Sequence, residues 1–401
     1  MIKKILKSYD YTLVIAIALL ATFGLIMVYS ASMVTAMQRY GYPADYFYQK
    51  QKLHLIAAAV VFILTALFPY KAMRSTRILF PMVVGSLAGL AALFVFGHVA
   101  GNANSWFKFG SNSLQPSEFV KLFVIIYMSA VYAKKQNYIN EFNKGVVPPL
   151  LYLFLVCLFV AIQPDFGTAG IIFLIALTVI VSSGMNGKNI LRLATIGIIA
   201  ALPFAIVLKA KVFSTVRMGR FQAYSNPFAV EKTFGYHIVN SYYAIGSGGI
   251  NGLGLGKSIE KLGYLPEPHT DFIMAVIAEE LGIWGVGFVL ILLGYIVLRG
   301  IYISMKCKDP FGSMLAIGIA GMRGLQSFIN LGGVSGLIPL TGVPLPFVSY
   351  GGSSLVQLAL ASGILVNISM FTNYESKYKK NEMQIDKKTA VNKQNVFQLR
   401  S

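Results

Sequence analysis

The chain alternates long apolar runs with short polar connections. The runs fall at about 11–30, 53–69, 78–97, 116–132, 146–162, 167–183, 190–208, 271–299, 314–334 and 353–371. A bilayer core needs roughly 20 apolar residues per helix and tolerates about 17 to 25, so each run is long enough to cross. The pattern predicts an all-α, polytopic integral membrane protein with about ten transmembrane helices. The first run follows Lys3, Lys4 and Lys7 like a signal peptide, but it is too long for an h-region and lacks a cleavage motif, so it is read as a retained helix.

Composition supports this reading. Of 401 residues 56% are hydrophobic and 12% charged, against roughly 25% charged in soluble domains, which excludes a water-soluble fold. The 34 Lys and Arg outnumber the 15 Asp and Glu, yet the basic residues sit in the short links between apolar runs. That distribution orients a membrane protein and argues against nucleic acid. Lys71, Arg74, Arg77, Lys134, Lys135, Lys144, Lys188, Arg192, Lys306 and Lys308 all fall on one side, which the positive-inside rule makes cytoplasmic. Both termini follow them there, with Arg39, Lys50 and Lys52 as a minor dissent outside. Residues 1–372 form the membrane domain. Residues 373–401 read as a basic, disordered cytoplasmic tail able to touch anionic membrane lipid. Cys157 and Cys307 stand at different depths and form no disulfide framework.

One connection departs from the rule of short links. Residues 209–270 form a large extracellular loop between the seventh and eighth helices, and loops of such length usually carry function. Within it Tyr236, Val239 and Tyr243 recur at helical spacing and predict an interfacial amphipathic helix.

Candidate chemistry gathers on the outer side. Asp271 stands where the loop re-enters the membrane behind a Pro-rich approach; it is either a helix cap or a general base whose proton affinity rises by desolvation. Glu118 and Lys121, three apart at the start of the fourth helix, form a polar pair facing a wet pocket or act as a structural ion pair. Asp165 lies in the tight link between the fifth and sixth helices, as a cap or as a second outward carboxylate. Glu279 and Glu280 reach the depth of Arg323, which predicts an intramembrane ion pair. Arg217, Arg220, Lys232, Lys257 and Lys261 of the loop, with Lys108 and the aromatic Trp106 in the preceding outer connection, form a cationic surface suited to a pyrophosphate, or merely to solubility. The 339–354 segment, with Ser349 and Ser353, is too rich in Pro and Gly for helix and reads as a rigid hairpin or as one wall of a site. Glycines around 246–258 mimic a phosphate loop, but Asn251 stands where its first glycine is needed. His54, His98, His237 and His269 show no metal-ligand spacing.

Four motifs in order, QPSEFVK, QPDFGTA, LPEPHTDF with AEELG, and TGVPLPFVSYGGSS, spread over nearly the whole chain. Together they resemble the shape, elongation, division and sporulation family. Arg217–Arg220, GYHIVNSYYAIGSGGINGLGLGKS and the 261–266 stretch look more like its division members than its elongation members. The resemblance implies a peptidoglycan glycosyltransferase at the bacterial cell membrane, working at the division septum, that polymerises lipid II into a growing glycan strand. It further implies a class B penicillin-binding protein and other division proteins as partners. By resemblance Asp271 matches the family's essential acidic residue, Glu118 with Lys121 its polar pair, and Trp106 an important aromatic position. Asp271 would deprotonate the acceptor 4-hydroxyl, and loop cations would stabilise the departing pyrophosphate. A divalent cation such as Mg or Mn could share that pyrophosphate, although no ligand motif demonstrates one. Two alternatives stay open: a lipid II flippase, which needs a polar path to both sides, and a noncatalytic division scaffold.

Overall fold

The computed structural model describes residues 2–100, 103–110, 112–207 and 215–379. Every predicted run coincides with a helix. A short α1 (Ile2–Leu6) precedes α2 (Tyr11–Tyr40), α3 (Tyr46–Leu67), α4 (Thr76–Phe96), α5 (Pro116–Lys134), α6 (Val147–Ile162), α7 (Phe166–Val181) and α8 (Gly187–Val207). After the long loop come α11 (Ile273–Lys306), α12 (Pro310–Val334) and α13 (Gly352–Tyr374). Seven of these are long and apolar enough to cross a membrane, while α6 and α7 are apolar but shorter. The loop holds two further helices, α9 (Thr215–Ser225) and α10 (Tyr236–Gly248).

Burial sorts the bundle into centre and rim. The apolar window of α13 is 83% buried and that of α5 72%, whereas α3 and α4 reach only 17%. Leu53, Ile56, Val60 and Ile63 of α3 therefore face outward, as expected where lipid rather than water is the solvent. The central helices carry the buried polar residues, and polar groups at that depth need partners or a cavity.

Ion pairs close one end of the bundle. Asp10 caps α2 and binds Arg299 at 2.7 Å, Lys71 meets Glu375 at 3.0 Å, and Arg74 lies 3.6 Å from Asp309. These contacts join the start of α2, the α3–α4 and α11–α12 links and the end of α13, which is the end to which the basic links were assigned.

At the opposite end the connection before α5 departs from all-helical structure. It forms a small antiparallel sheet, β1 (His98–Ala100), β2 (Ala103–Phe109) and β3 (Asn112–Leu114), with His98 opposite Trp106 and Lys108 opposite Ser113. Pro116 then opens α5, where its missing N–H costs nothing.

Two details of the long loop correct the sequence reading. The inward stripe of α10 is Ile238, Val239, Ser241, Ala244 and Gly248, while Tyr243 is exposed. This stripe packs on α11, and a Cβ at Gly248 would overlap the Ala278 carbonyl, so the helix docks on the bundle. The predicted continuous helix over 271–299 begins at Ile273 and is broken at Gly282, whose φ of 60° and ψ of −152° lie outside helical geometry. The break has a hydrogen-bond account: Leu253 N–H donates to Glu279 O (2.9 Å), Gly254 N–H to Glu280 O (2.9 Å), and Ile283 N–H to Ile250 O (3.1 Å). The loop backbone thus replaces the lost helical bonds.

Candidate active site

Asp271 is set by its main chain. Asn330, near the end of α12, donates through Nδ2 to Asp271 O (2.9 Å) and Val343 O (2.8 Å). Ser349 donates to Thr270 O (2.6 Å) and accepts from Leu345 N–H (2.8 Å), and Tyr350 N–H donates to His269 O (2.9 Å). The Pro-rich 339–351 segment is therefore stitched along the approach to α11 and forms one wall beside Asp271. Gly342 completes that wall: its φ is 74°, and a Cβ there would stand 3.4 Å from Asp271 Oδ2.

The cap of α11 is Phe272, with no side-chain cap bond, so Asp271 does not serve the helix N-terminus. Its carboxylate is half-buried, and burial together with Glu267 raises its pKa to about 6 against the opposing pull of Arg220. Nearby His269 is pushed down to about 4, chiefly by burial with Arg39 adding to it, and is neutral at neutral pH.

Two arginines on α9 frame the same corner. Arg217 donates to Pro164 O (2.8 Å) with its guanidinium 4.5 Å from the Phe166 ring, and Arg220 donates to Leu340 O (3.3 Å). Asp165 caps α7 through Thr168 N–H (3.1 Å) and receives a long bond from Ser105 of β2 (3.5 Å). The 163–168 turn, α9, the Pro-rich segment and Asp271 thus adjoin. Trp106 is half-buried in β2, and Lys108 lies 3.4 Å from His98. Glu118 and Lys121 form a buried pair at 2.7 Å in α5, with Glu118 Oε2 left without a hydrogen-bond partner. Ser353 accepts from Gln115 N–H (3.1 Å) and donates to Ser113 O (3.2 Å), fastening the start of α13 to that of α5.

Three expected cations are placed elsewhere or otherwise. Lys261 is fully buried in a salt bridge with Glu280, joined by Ser30 of α2, and is not available to a pyrophosphate. Lys257 is exposed on the glycine-rich turn that wraps α11. Arg323 pairs with neither Glu279 nor Glu280: it donates to Leu358 O (3.1 Å) and Ser362 Oγ (2.6 Å) of α13. Glu279 is instead satisfied by Ser258 and by the Ile259 N–H (2.7 Å) and Glu260 N–H (3.3 Å) of the loop. The matched-depth argument missed these contacts because depth along a helix does not fix which face it presents. Asn330 was missed as well, since a single Asn in an apolar run carries no spacing signal. Among the described residues no three His, Cys, Asp or Glu side chains are grouped to hold an ion.

Fold and site define a class: a polytopic membrane protein that holds Asp271, Asp165 and two arginines of α9 at one end of its bundle. The family profile described as "Cell cycle protein", covering FtsW, RodA and SpoVE, matches residues 11–374. The chain belongs to this family. It is 57% identical over 385 residues to the "Probable peptidoglycan glycosyltransferase FtsW" of Bacillus subtilis, covering 95% of this chain and 96% of that one. It is 39% identical to "Stage V sporulation protein E" of the same organism, covering 92% and 98%. Among solved structures, RodA, the rod shape determining protein of Thermus thermophilus, superposes with a TM-score of 0.63 at 25% identity, covering 90% of this chain and 96% of that one. A chain of the structure described as "Structural coordination of polymerization and crosslinking by a peptidoglycan synthase complex" gives 0.70 at 23% identity, covering 91% and 98%, and supports the fold.

Proposed function

We propose that the protein is a peptidoglycan glycosyltransferase that polymerises lipid II into glycan strands on the outer face of the cell membrane. The observation that carries this reading is Asp271: a carboxylate of raised proton affinity, relieved of capping duty, beside a rigid Pro-rich wall and within the influence of Arg220, with Arg217 one turn away on α9. A general base works best with a pKa near the operating pH. Asp271 accepts the proton of the acceptor sugar hydroxyl as its oxygen attacks the anomeric carbon of the donor, and the bond to the polyprenyl pyrophosphate breaks. One direct displacement inverts that centre. Arg217 and Arg220 stabilise the charge that develops on the leaving group. Relatives named as this enzyme support the assignment.

A transpeptidase of the class B penicillin-binding type is the proposed partner, supported by the structural likeness to a chain of a synthase complex that joins polymerisation to crosslinking. The likeness to division relatives supports work at the septum. A flippase needs a polar path through the bundle. Here the approach to Asp271, the α9 arginines and Asp165 adjoin at the outer end, which favours the enzyme. Purified protein given fluorescent lipid II, with and without the transpeptidase, tests the proposal. Glycan ladders are expected, and flipping in vesicles without polymer would sink it.

A further inference from the structure

Glu267 is one of three non-glycine residues with a positive φ among the described residues, at 50°. It stands between Pro266 and Pro268, four residues before Asp271. Glycine would take this conformation without strain, and strained residues of other types cluster at functional sites. The side chain gives the position a use. Its carboxylate accepts from Arg39 Nη1 at 3.1 Å and from the Tyr40 hydroxyl at 3.4 Å, both in the last turn of α2. Its carbonyl accepts from Thr270 N–H (3.2 Å) and Thr270 Oγ1 (3.1 Å), closing the turn that leads to Asp271. The end of α2 is thus joined to the approach of α11 just ahead of the proposed base.

The ion pair is an open one, with Arg39 56% and Glu267 37% exposed, and pairs of that kind add little stability. Its charges bear on Asp271 instead. The titratable groups facing that corner are Glu267 and His269 on the approach itself, Arg220 of α9, His237 of α10, Arg39 of α2 and Tyr350 of the Pro-rich wall. Arg217 is turned to Pro164 and Asp165, and α12 contributes the amide of Asn330. His237, whose ring stacks on Phe272 at 5.8 Å, and His269 are both pushed below the ordinary histidine range, chiefly by burial, with Arg39 adding to it. The Tyr350 phenol is pushed up to about 12, chiefly by burial. All three are neutral at neutral pH. The field on Asp271 is therefore left to Arg220, which favours the carboxylate, and to Glu267, which opposes it.

We infer that Arg39 and Glu267 are a positioning pair for the base: together they fix the turn ahead of Asp271, and Arg39 masks the Glu267 charge from the Asp271 carboxylate. Left unmasked, Glu267 would keep Asp271 protonated and unable to accept a proton; without Glu267 the base would be weaker. The pair sets the balance between ionisation and basicity on which general-base efficiency depends. The inference rests on the glycosyltransferase reading for the reaction, but one of its two measurements needs no activity.

Two pH profiles of the detergent-purified full chain test it. One is kcat/KM for polymerisation of fluorescent lipid II with the transpeptidase present. The other is the difference in Tm between each variant and the same variant carrying Asp271→Asn. Glu267→Gln removes a negative neighbour, so both midpoints should fall, by about half a pH unit or more. Arg39→Gln removes a positive neighbour and unmasks Glu267, so both should rise by a similar amount, and the double variant should return near wild type. Arg39→Lys keeps the charge and should hold the wild-type midpoint. A pair that is merely structural would lower activity in both single variants without moving their midpoints apart. Coincident midpoints in a protein that polymerises would overturn the inference, as would a shift in Arg39→Lys as large as in Arg39→Gln. Should Glu267→Gln fail to fold, Glu267→Gly takes the φ of 50° freely and should show the same fall; an unmoved midpoint there sinks the idea. Opposite shifts of the Tm difference in a protein that never polymerises would leave the pair standing and remove the glycosyltransferase reading.

Discussion

At the scale of the residue, the proposed chemistry rests on Asp271, a position legible in the sequence although its role was not. Position alone allowed a helix cap, and the structure removes that reading because α11 begins at Ile273 and is capped by Phe272 without a side-chain bond. Asp271→Asn is therefore expected to fold and to lose polymerisation by roughly a hundredfold or more, measured with lipid II while other polymerases are inhibited. The pH dependence has a definite sign. The fold raises the pKa from 3.8 to about 6, so it favours the neutral acid. The stability this contributes is full below about pH 4 and is lost as pH rises through 6. Wild type should lose Tm relative to Asp271→Asn across that window, while kcat/KM rises over the upper part of it as the base ionises. A flat activity profile between pH 5 and 7.5, with chemistry limiting, would contradict the assignment.

At the scale of the element, the long loop is held by its interior rather than by its surface. Its glycine-rich turn lends N–H groups to the carbonyls of Glu279 and Glu280 at the break in α11, and Lys261 buries its ammonium against the Glu280 carboxylate. Removing one partner of a buried pair strands the other, at a cost of roughly 3–5 kcal/mol, whereas replacing both by apolar groups is often neutral. Lys261→Met should therefore cut the yield and Tm of membrane-inserted protein, and the double variant Lys261→Met with Glu280→Leu should recover most of the loss. Equal damage in single and double variants would show that the pair is not what docks the loop. Sequence reasoning placed Lys261 among solvent-facing cations because the loop's polar composition conceals one segment that folds back onto a transmembrane helix.

At the scale of the whole molecule, topology decides which side the chemistry faces. Ser225 at the end of α9 and Ser376 beyond α13 are both exposed. In intact cells a cysteine at Ser225 should react with an impermeant maleimide and one at Ser376 should not; the reverse pattern would place Asp271 on the cytoplasmic side and end the proposed mechanism. The basic residues Lys380, Lys387 and Lys388 of the expected tail lie outside the described residues. The ten apolar runs, the long loop between the seventh and eighth of them, and the Glu118–Lys121 pair were all written in one dimension. A lipid environment demands long apolar helices, and residues three apart on a helix are neighbours whatever surrounds them. Tertiary structure alone decided the rest: that Arg323 turns to α13 and not to the glutamates of α11, that Lys261 is spent on Glu280, and that Asn330 and Ser349 bind the Pro-rich segment to the Asp271 approach. These contacts join residues far apart in the chain. Which face of a helix meets which neighbour is fixed by packing the whole bundle, and no local periodicity encodes it.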